Sequence, residues 1–332
     1  KYLFDLSILS DEDQAYVQSL SNRGARSIDG LLALYDFRLA SGSTVKDVSG
    51  MEPPLDLQID NPKAVKRAKG SLEITGKTMI RSIKVPTKIT KTVKGTGQLT
   101  VEAWVRPGNL KQAGPARILT ISKDISNRNF TLGQDGNKYD LRLRTSKTSG
   151  NGMPSLASPV KSVSTELTHL TYTREPSGKA RFYLNAKQVA EKNIPGDLKD
   201  WDGNYRLALG NEFSNNRPWQ GSYHLLAIYG RALSSQDVKK NFESGAGADT
   251  ADLLAARKRE EGGRLFETKV APLLAKHCLE CHDTANRKGK LDLSRRSSAF
   301  AGGSDGPPIL PGKPDQSLLW EVVESDDMPK KR

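Results

Sequence analysis

Only two cysteines occur in the 332 residues, and they stand as Cys278-Leu279-Glu280-Cys281 with His282 next. This is the C-x-x-C-H pattern of covalent c-type haem attachment. Two thiols three residues apart on a helical turn can each add to one vinyl group, which presents the next side chain, His282, beneath the iron as an axial ligand. Other chemistries use these residues less fully. A structural zinc site needs four ligands, and beyond Cys278, Cys281 and His282 only His277 lies near, too close in sequence to close a tetrahedron comfortably. A thioredoxin-like dithiol belongs to a βαβ setting that is absent here, and a disulfide across so short a loop stabilises little.

The second axial position decides whether such an iron relays electrons or meets small molecules. Downstream of His282 there is no further histidine and one methionine, Met328, in Asp326-Asp327-Met328-Pro329. The intervening chain is long enough to pass the haem edge and return on the distal face, whereas His277 abuts the attachment site and cannot readily reach over. Two readings stand at this point: Met328 closes the sixth position, or it is an ordinary tail methionine and the iron is open.

These residues need a scaffold. Leu265, Phe266, Val270, Leu273 and Leu274 recur at helical spacing and run straight into Cys278, with Pro272 expected to bend or restart that helix. Leu291, Leu293, Ile309, Leu310, Leu318, Leu319 and Trp320 are the candidates to pack on a porphyrin, and Pro307, Pro308, Pro311 and Pro314 stiffen the loop between them. So short a segment buries too little surface alone, so the haem is expected to supply much of its core and the haem-free segment to be unfolded. Ahead of it, residues 245–263 shift to Gly, Ala and charge, with Asp252–Arg257 as a helical linker.

The preceding sequence has a different rhythm. Runs such as Ala33–Phe37, Leu99–Val105, Arg117–Ile121, Tyr139–Arg144, Leu170–Thr173, Ala180–Leu184, Tyr205–Leu209 and Tyr223–Tyr229 alternate apolar and polar residues, and Gly, Pro, Asn and Asp punctuate them. Many short strands without intervening helices predict an antiparallel sandwich. Residues 1–28 open with Tyr2–Leu6 and an acidic N-cap at Ser10–Asp13, which predicts a short helix in a tail or the end of an upstream segment.

The net charge is +13, yet residues 251–332 hold 15 Lys and Arg against 13 Asp and Glu, so the excess lies in the first 250 residues. Apart from Lys63, Lys66, Arg67 and Lys69 it is dispersed, with no basic helix or nucleic-acid motif. Nucleic acid is therefore not expected as a partner. No apolar run is long enough to span a membrane.

Two families are resembled. Leu99–Pro107, Arg128–Gly136, Arg181–Asn185 and His224–Leu233 followed by Ser234–Val238 resemble a laminin-G-like, concanavalin A-type jelly roll. The resemblance implies two packed antiparallel sheets of about six or seven strands each. Phe266–Leu274, Lys288–Leu293, Ala301–Pro307, Ile309–Pro314 with Ser317–Leu319, and Asp327–Pro329 resemble the small cytochrome c domain of planctomycete-type proteins. That resemblance implies His282 and Met328 as the axial pair. It also implies a further C-terminal helix beyond the residues here, so this domain is expected to be truncated. The expected organisation is a tail at 1–29, a β-sandwich at 30–245, a linker at 246–262 and a small α-helical c-type cytochrome domain at 263–332.

Jelly rolls of this type bind sugars or calcium through loops. Trp201, Tyr205, Arg217 and Trp219 are the residues that could clamp a glycan, against a plainer role anchoring turns, and Trp104 and Tyr229 read as core-facing strand residues. Asp36, Asp47, Asp135, Asp200 and Asp202 are oxygen donors suited to calcium, without the fixed spacing of a calcium loop. No catalytic constellation stands out. The expected function is single-electron transfer by one covalently bound haem c in the periplasm or at the cell surface, with redox partner proteins or a larger membrane-associated complex. The alternatives are a scaffold, adhesion or glycan-binding subunit with an auxiliary haem, and a haem enzyme with an open iron.

Overall fold

The computed structural model describes residues 26–112, 114–247 and 262–330. The helix expected after Ser10 and the linker helix at Asp252–Arg257 lie outside the described residues. The chain divides into two compact units, residues 1–255 and 256–332.

In the first unit the strands are β1 (Leu31–Tyr35), β2 (Thr44–Val45), β3 (Leu57–Ile59), β4 (Val65–Ala68), β5 (Ser71–Ile74), β6 (Ile80–Ser82), β7 (Leu99–Pro107) and β8 (Ala116–Ser122). They continue as β9 (Arg128–Asp135), β10 (Lys138–Leu143), β11 (Leu156–Ala157), β12 (Thr168–Arg174), β13 (Lys179–Leu184), β14 (Lys187–Asn193), β15 (Arg206–Leu209) and β16 (Gly221–Tyr229). One eight-stranded sheet runs β14-β13-β12-β7-β16-β5-β4 with β1 also paired to β16; the other runs β11-β10-β9-β8-β15-β6-β3-β2. Every pairing is antiparallel, and the two sheets form a jelly-roll-like sandwich. The sheets are wider than the six or seven strands expected, because two- and three-residue strands such as β2, β3 and β11 are too short to carry an alternation signal.

Period-two patterning explains the two apolar clusters. On β7, Leu99, Val101, Ala103 and Val105 enter the main core between the sheets. Trp104 instead joins Leu225, Ala227 and Tyr229 in a second cluster with Val238. Trp104 and Tyr229 thus face this smaller cluster, not the main core. Two helices that the strand-only reading did not contain interrupt the sandwich sequence, α1 (Thr87–Thr96), which adds Ile89 and Val93 to the main core, and α2 (Ser235–Glu243), which supplies Val238 to the second cluster.

Helix α1 was hidden by its Thr- and Lys-rich composition. It buries Ile89, Thr90 and Val93 and stops where Gly97 takes a left-handed φ of 65°, its N–H bonding to the Val93 carbonyl. Helix α2 starts at a reciprocal cap, with the Ser234 side chain accepting from the Asp237 N–H and the Asp237 carboxylate from the Ser234 N–H.

The second unit is built from short pieces. A π-helical stretch at Phe266–Val270 runs into α3 (Ala271–His277), with Pro272 in its first turn, where its missing N–H costs nothing. Helices α4 (Arg296–Ala301) and α5 (Leu318–Glu324) follow.

Candidate haem-attachment site

Helix α3 ends at Cys278, whose N–H bonds to the Leu274 carbonyl at 2.8 Å. The chain then turns on itself: the N–H groups of Cys281 and His282 both donate to the Cys278 carbonyl, at 3.2 and 3.0 Å. Cys278, Cys281 and His282 are therefore held together on one hydrogen-bonded turn that follows the helix, not inside the helix itself.

The following loop fixes that turn from behind. The Leu293 N–H donates to the His282 carbonyl at 2.8 Å, and the Lys288 N–H to the Cys281 carbonyl at 2.9 Å. Asp283 accepts from the N–H groups of Ala285 and Asn286. Asp292, 2% exposed, accepts from the Ser294 N–H and hydroxyl. Burial opposes the charged form of the Asp292 carboxyl, but the Ser294 bonds and Arg287 outweigh it and hold the group below the usual carboxylate range.

The donor set fits a covalently held haem. Both thiols are free and half-buried. Burial pushes the Cys278 thiol up, while the Lys288 ammonium lies 3.5 Å from the Cys281 sulfur. The His282 Nδ1 is buried with no hydrogen-bond partner, so the protein does not commit both sides of that ring. In this unit apolar side chains lack cover: Leu273 is 59%, Leu265 58% and Trp320 53% exposed, and Leu293 and Ala299 are its buried aliphatic residues among those described. Such surface invites a large apolar partner, since burying a leucine-sized side chain is worth about 1.5–3 kcal/mol.

Of the expected porphyrin-packing residues, Leu293 is already buried, Trp320 is exposed, and Leu291, Ile309, Leu310, Leu318 and Leu319 lie between. Met328 sits half-buried on a separate turn after α5, its N–H bonding to the Val322 carbonyl at 2.8 Å. Sequence reasoning did not find the Lys288 ammonium beside Cys281 or the Asp292 brace. A lysine seven residues after a cysteine has no periodic signature, and only the folded loop brings it back.

The sandwich residues proposed for a glycan clamp are placed otherwise. Trp201 and Trp219 are 1% and 0% exposed and belong to the main core. Their indole N–H groups donate inward, Trp201 to the Arg144 carbonyl and Trp219 to the Gln134 side chain, both at 3.0 Å. Tyr205 is also buried, at 9%. These rings have no free face for a sugar, and the plainer reading, turn anchors, is the one the structure supports. Among the described residues no three His, Cys, Asp or Glu gather as a metal site. Of the aspartates considered for calcium, Asp47 accepts instead from the N–H groups of Leu34, Ser49 and Leu55 and from the Lys88 ammonium.

Comparison with known proteins agrees with this division. Residues 81–239 match the family model of the concanavalin A-like lectin/glucanase superfamily, and residues 278–331 that of planctomycete cytochrome C. No curated protein matches. Among solved structures, the binding domain of botulinum neurotoxin DC in complex with rat synaptotagmin II is similar at a TM-score of 0.50 and 12% identity, over 65% of this chain and 52% of that one. The serotype C1 binding domain gives 0.50 and 13%, over 65% and 52%. This chain spans about half the length of these structures, and at such identity the likeness extends to the fold alone. The chain thus joins a laminin-G-like, concanavalin A-like domain to a planctomycete cytochrome c domain.

Proposed function

We propose that the protein is an exported mono-haem c-type cytochrome that transfers single electrons, with its β-sandwich docking it to redox partners or to a larger assembly. One observation carries this reading: Cys278, Cys281 and His282 share a single braced turn, with both thiols free and the imidazole Nδ1 unpartnered. In it, Cys278 and Cys281 form the thioethers, His282 is the proximal iron ligand and Met328 the distal one. Haem c bound there supplies a one-electron iron couple. The residues of the chain hold it: the turn fixes the attachment geometry, and the uncovered apolar side chains shield it from water. Covalent attachment of this kind belongs outside the cytoplasm in bacteria, which supports a location in the periplasm or at the cell surface. Among the described residues no helix is long and apolar enough to cross a membrane.

The test is a visible spectrum of the purified protein, reduced minus oxidised after denaturation, followed by the native ferric spectrum. A haem that stays with the denatured chain, together with a methionine-to-iron band, supports relay through His282 and Met328. Haem lost on denaturation removes the reading, and a high-spin ferric spectrum moves it to an open-iron enzyme. The match of residues 81–239 to a lectin-type superfamily favours a second reading, a docking or glycan-binding subunit with an auxiliary haem. Sandwich variants that lose partner binding with the redox wave intact would select it.

A further inference from the structure

The clustered positive charge of the sequence, Lys63, Lys66, Arg67 and Lys69, falls on β4 and the turns that flank it. β4 is the last strand of the first sheet and β2 the last of the second. Arg67 bridges these two edges: its Nη1 donates to the Gly42 carbonyl at 2.7 Å and to the Thr44 carbonyl, on β2, at 2.9 Å. Lysines keep an edge strand from pairing with another sheet. That role does not account for Arg67, which alternation puts on the same face of β4 as Val65, a residue packed against the main core.

Beside Arg67 lies a cavity of about 120 Å³, walled by the apolar side chains of Phe37, Leu39, Val45 and Val48. Leu39 is 46% exposed, so the cavity opens to solvent. Phe37 holds a left-handed φ of 49°, with its ring buried and stacked on Tyr223 at 5.6 Å. A non-glycine residue persists there only where its surroundings fix it, so this wall is shaped in advance.

The carboxylates close by are committed elsewhere. Asp36 pairs with Arg38, and Asp56 with Lys46 at 2.6 Å. Glu73 stands in register with Lys66. Arg67 forms no ion pair among the described residues; burial lowers its guanidinium and no carboxylate raises it again. Its charge meets two neutral carbonyls, and its Nε is enclosed without an acceptor. Lys63, Lys66 and Lys69 are exposed and form no ion pair among the described residues either. A partner that covers this edge must therefore bring negative charge, and a cavity of this size takes one aliphatic side chain. A polysaccharide brings the charge alone, whereas an acidic polypeptide brings both.

We propose that this edge of the sandwich docks an acidic segment of a partner polypeptide, its carboxylates on Arg67 and the β4 lysines and an aliphatic side chain in the cavity. The proposal rests on the docking role given to the sandwich above and locates it; the haem reading is decided separately by its spectrum.

The test measures fluorescence anisotropy of a labelled peptide of glutamates around one leucine, titrated with the full-length holoprotein. Binding is expected, weakening with salt, weaker again when serine replaces the leucine, and absent when lysines replace the glutamates. R67Q should weaken it about tenfold or more. K66E/K69E, at exposed positions, should weaken it too and decides the matter if R67Q, which loses bonds to Gly42 and Thr44, does not fold by circular dichroism. Equal binding in wild type and the folded variants would overturn this site while leaving docking to another face of the sandwich. No binding of the glutamate peptide, or no difference between leucine and serine, would overturn the proposal outright, and a heparin fragment that binds where the peptide does not would replace it with a polysaccharide surface.

Discussion

The guanidinium of Arg26 pairs with the carboxylate of Glu102 with side chains 2% and 0% exposed, linking the chain just ahead of β1 to the central strand β7. Glu102 also meets His169 Nε2 at 2.9 Å and Asn241 Nδ2, from α2, at 2.7 Å. Burial alone would raise this carboxyl, but Arg26 and His169 reverse the effect and hold it at about 2.

A carboxyl depressed from 4.5 to about 2 contributes stability that is complete above the upper value and lost as pH falls through the lower one. Urea denaturation of the sandwich should therefore show a marked fall in stability between those limits. Glu102→Gln should cost on the order of 3 kcal/mol at pH 7 and flatten that dependence. Arg26→Met, which strands a buried carboxylate, should cost about 3–5 kcal/mol. Equal pH profiles in wild type and Glu102→Gln would dismiss the linkage.

Substituting either cysteine should leave one thioether. Mass spectrometry of denatured Cys278→Ser and Cys281→Ser should find haem still bound to part of each preparation, and none on the double variant. Full haem retention in the double variant would contradict covalent attachment through these thiols.

Met328→Ala should abolish the methionine-to-iron band of the ferric holoprotein and lower its potential, because a thioether ligand favours the reduced iron. An unchanged spectrum would assign the distal position to another group.

Trp219→Ala should destabilise the sandwich by about 3–5 kcal/mol, since it empties a fully buried site and removes the indole hydrogen bond to the Gln134 side chain. Chemical denaturation measures this directly. A loss near zero would mean the indole is not part of the packed core.

The attachment motif and the sandwich could be read from sequence for different reasons. Cys278, Cys281 and His282 are local in the chain, so their spacing alone specifies a chemistry. The long strands announce themselves through alternation, as Leu99, Val101, Ala103 and Val105 do. Long-range placement was harder to read. Polar residues on β8 and β9 alternate as solvent-facing residues would, yet Arg117 and Arg128 are buried, their guanidinium groups bonded to Glu212 and the Pro115 carbonyl and to Thr131 and the Ile125 carbonyl, partners that no periodicity announces. Trp201 and Trp219, in turn-like sequences rich in Asp, Gly and Pro, looked available to a ligand and are instead core residues whose indole N–H groups find acceptors far along the chain. Helix α1 was missed because Thr and Lys mask its few apolar positions.

The pairing of β1 with β16 has a mechanical consequence. Leu31 at the start of β1 lies opposite Tyr229 at the end of β16, so the two tethers of the domain leave from one end of the same antiparallel ladder. Tension applied through them pulls across the ladder and loads its bonds one after another, as in a zip, whereas strands drawn past each other would share the load. The Arg26 bonds to Glu102 and to the Gly245 carbonyl sit at the mouth of that zip and would take the force first. Ser27, whose N–H donates to Asn241 and whose hydroxyl accepts from Arg231, shares that load beside the buried arginine.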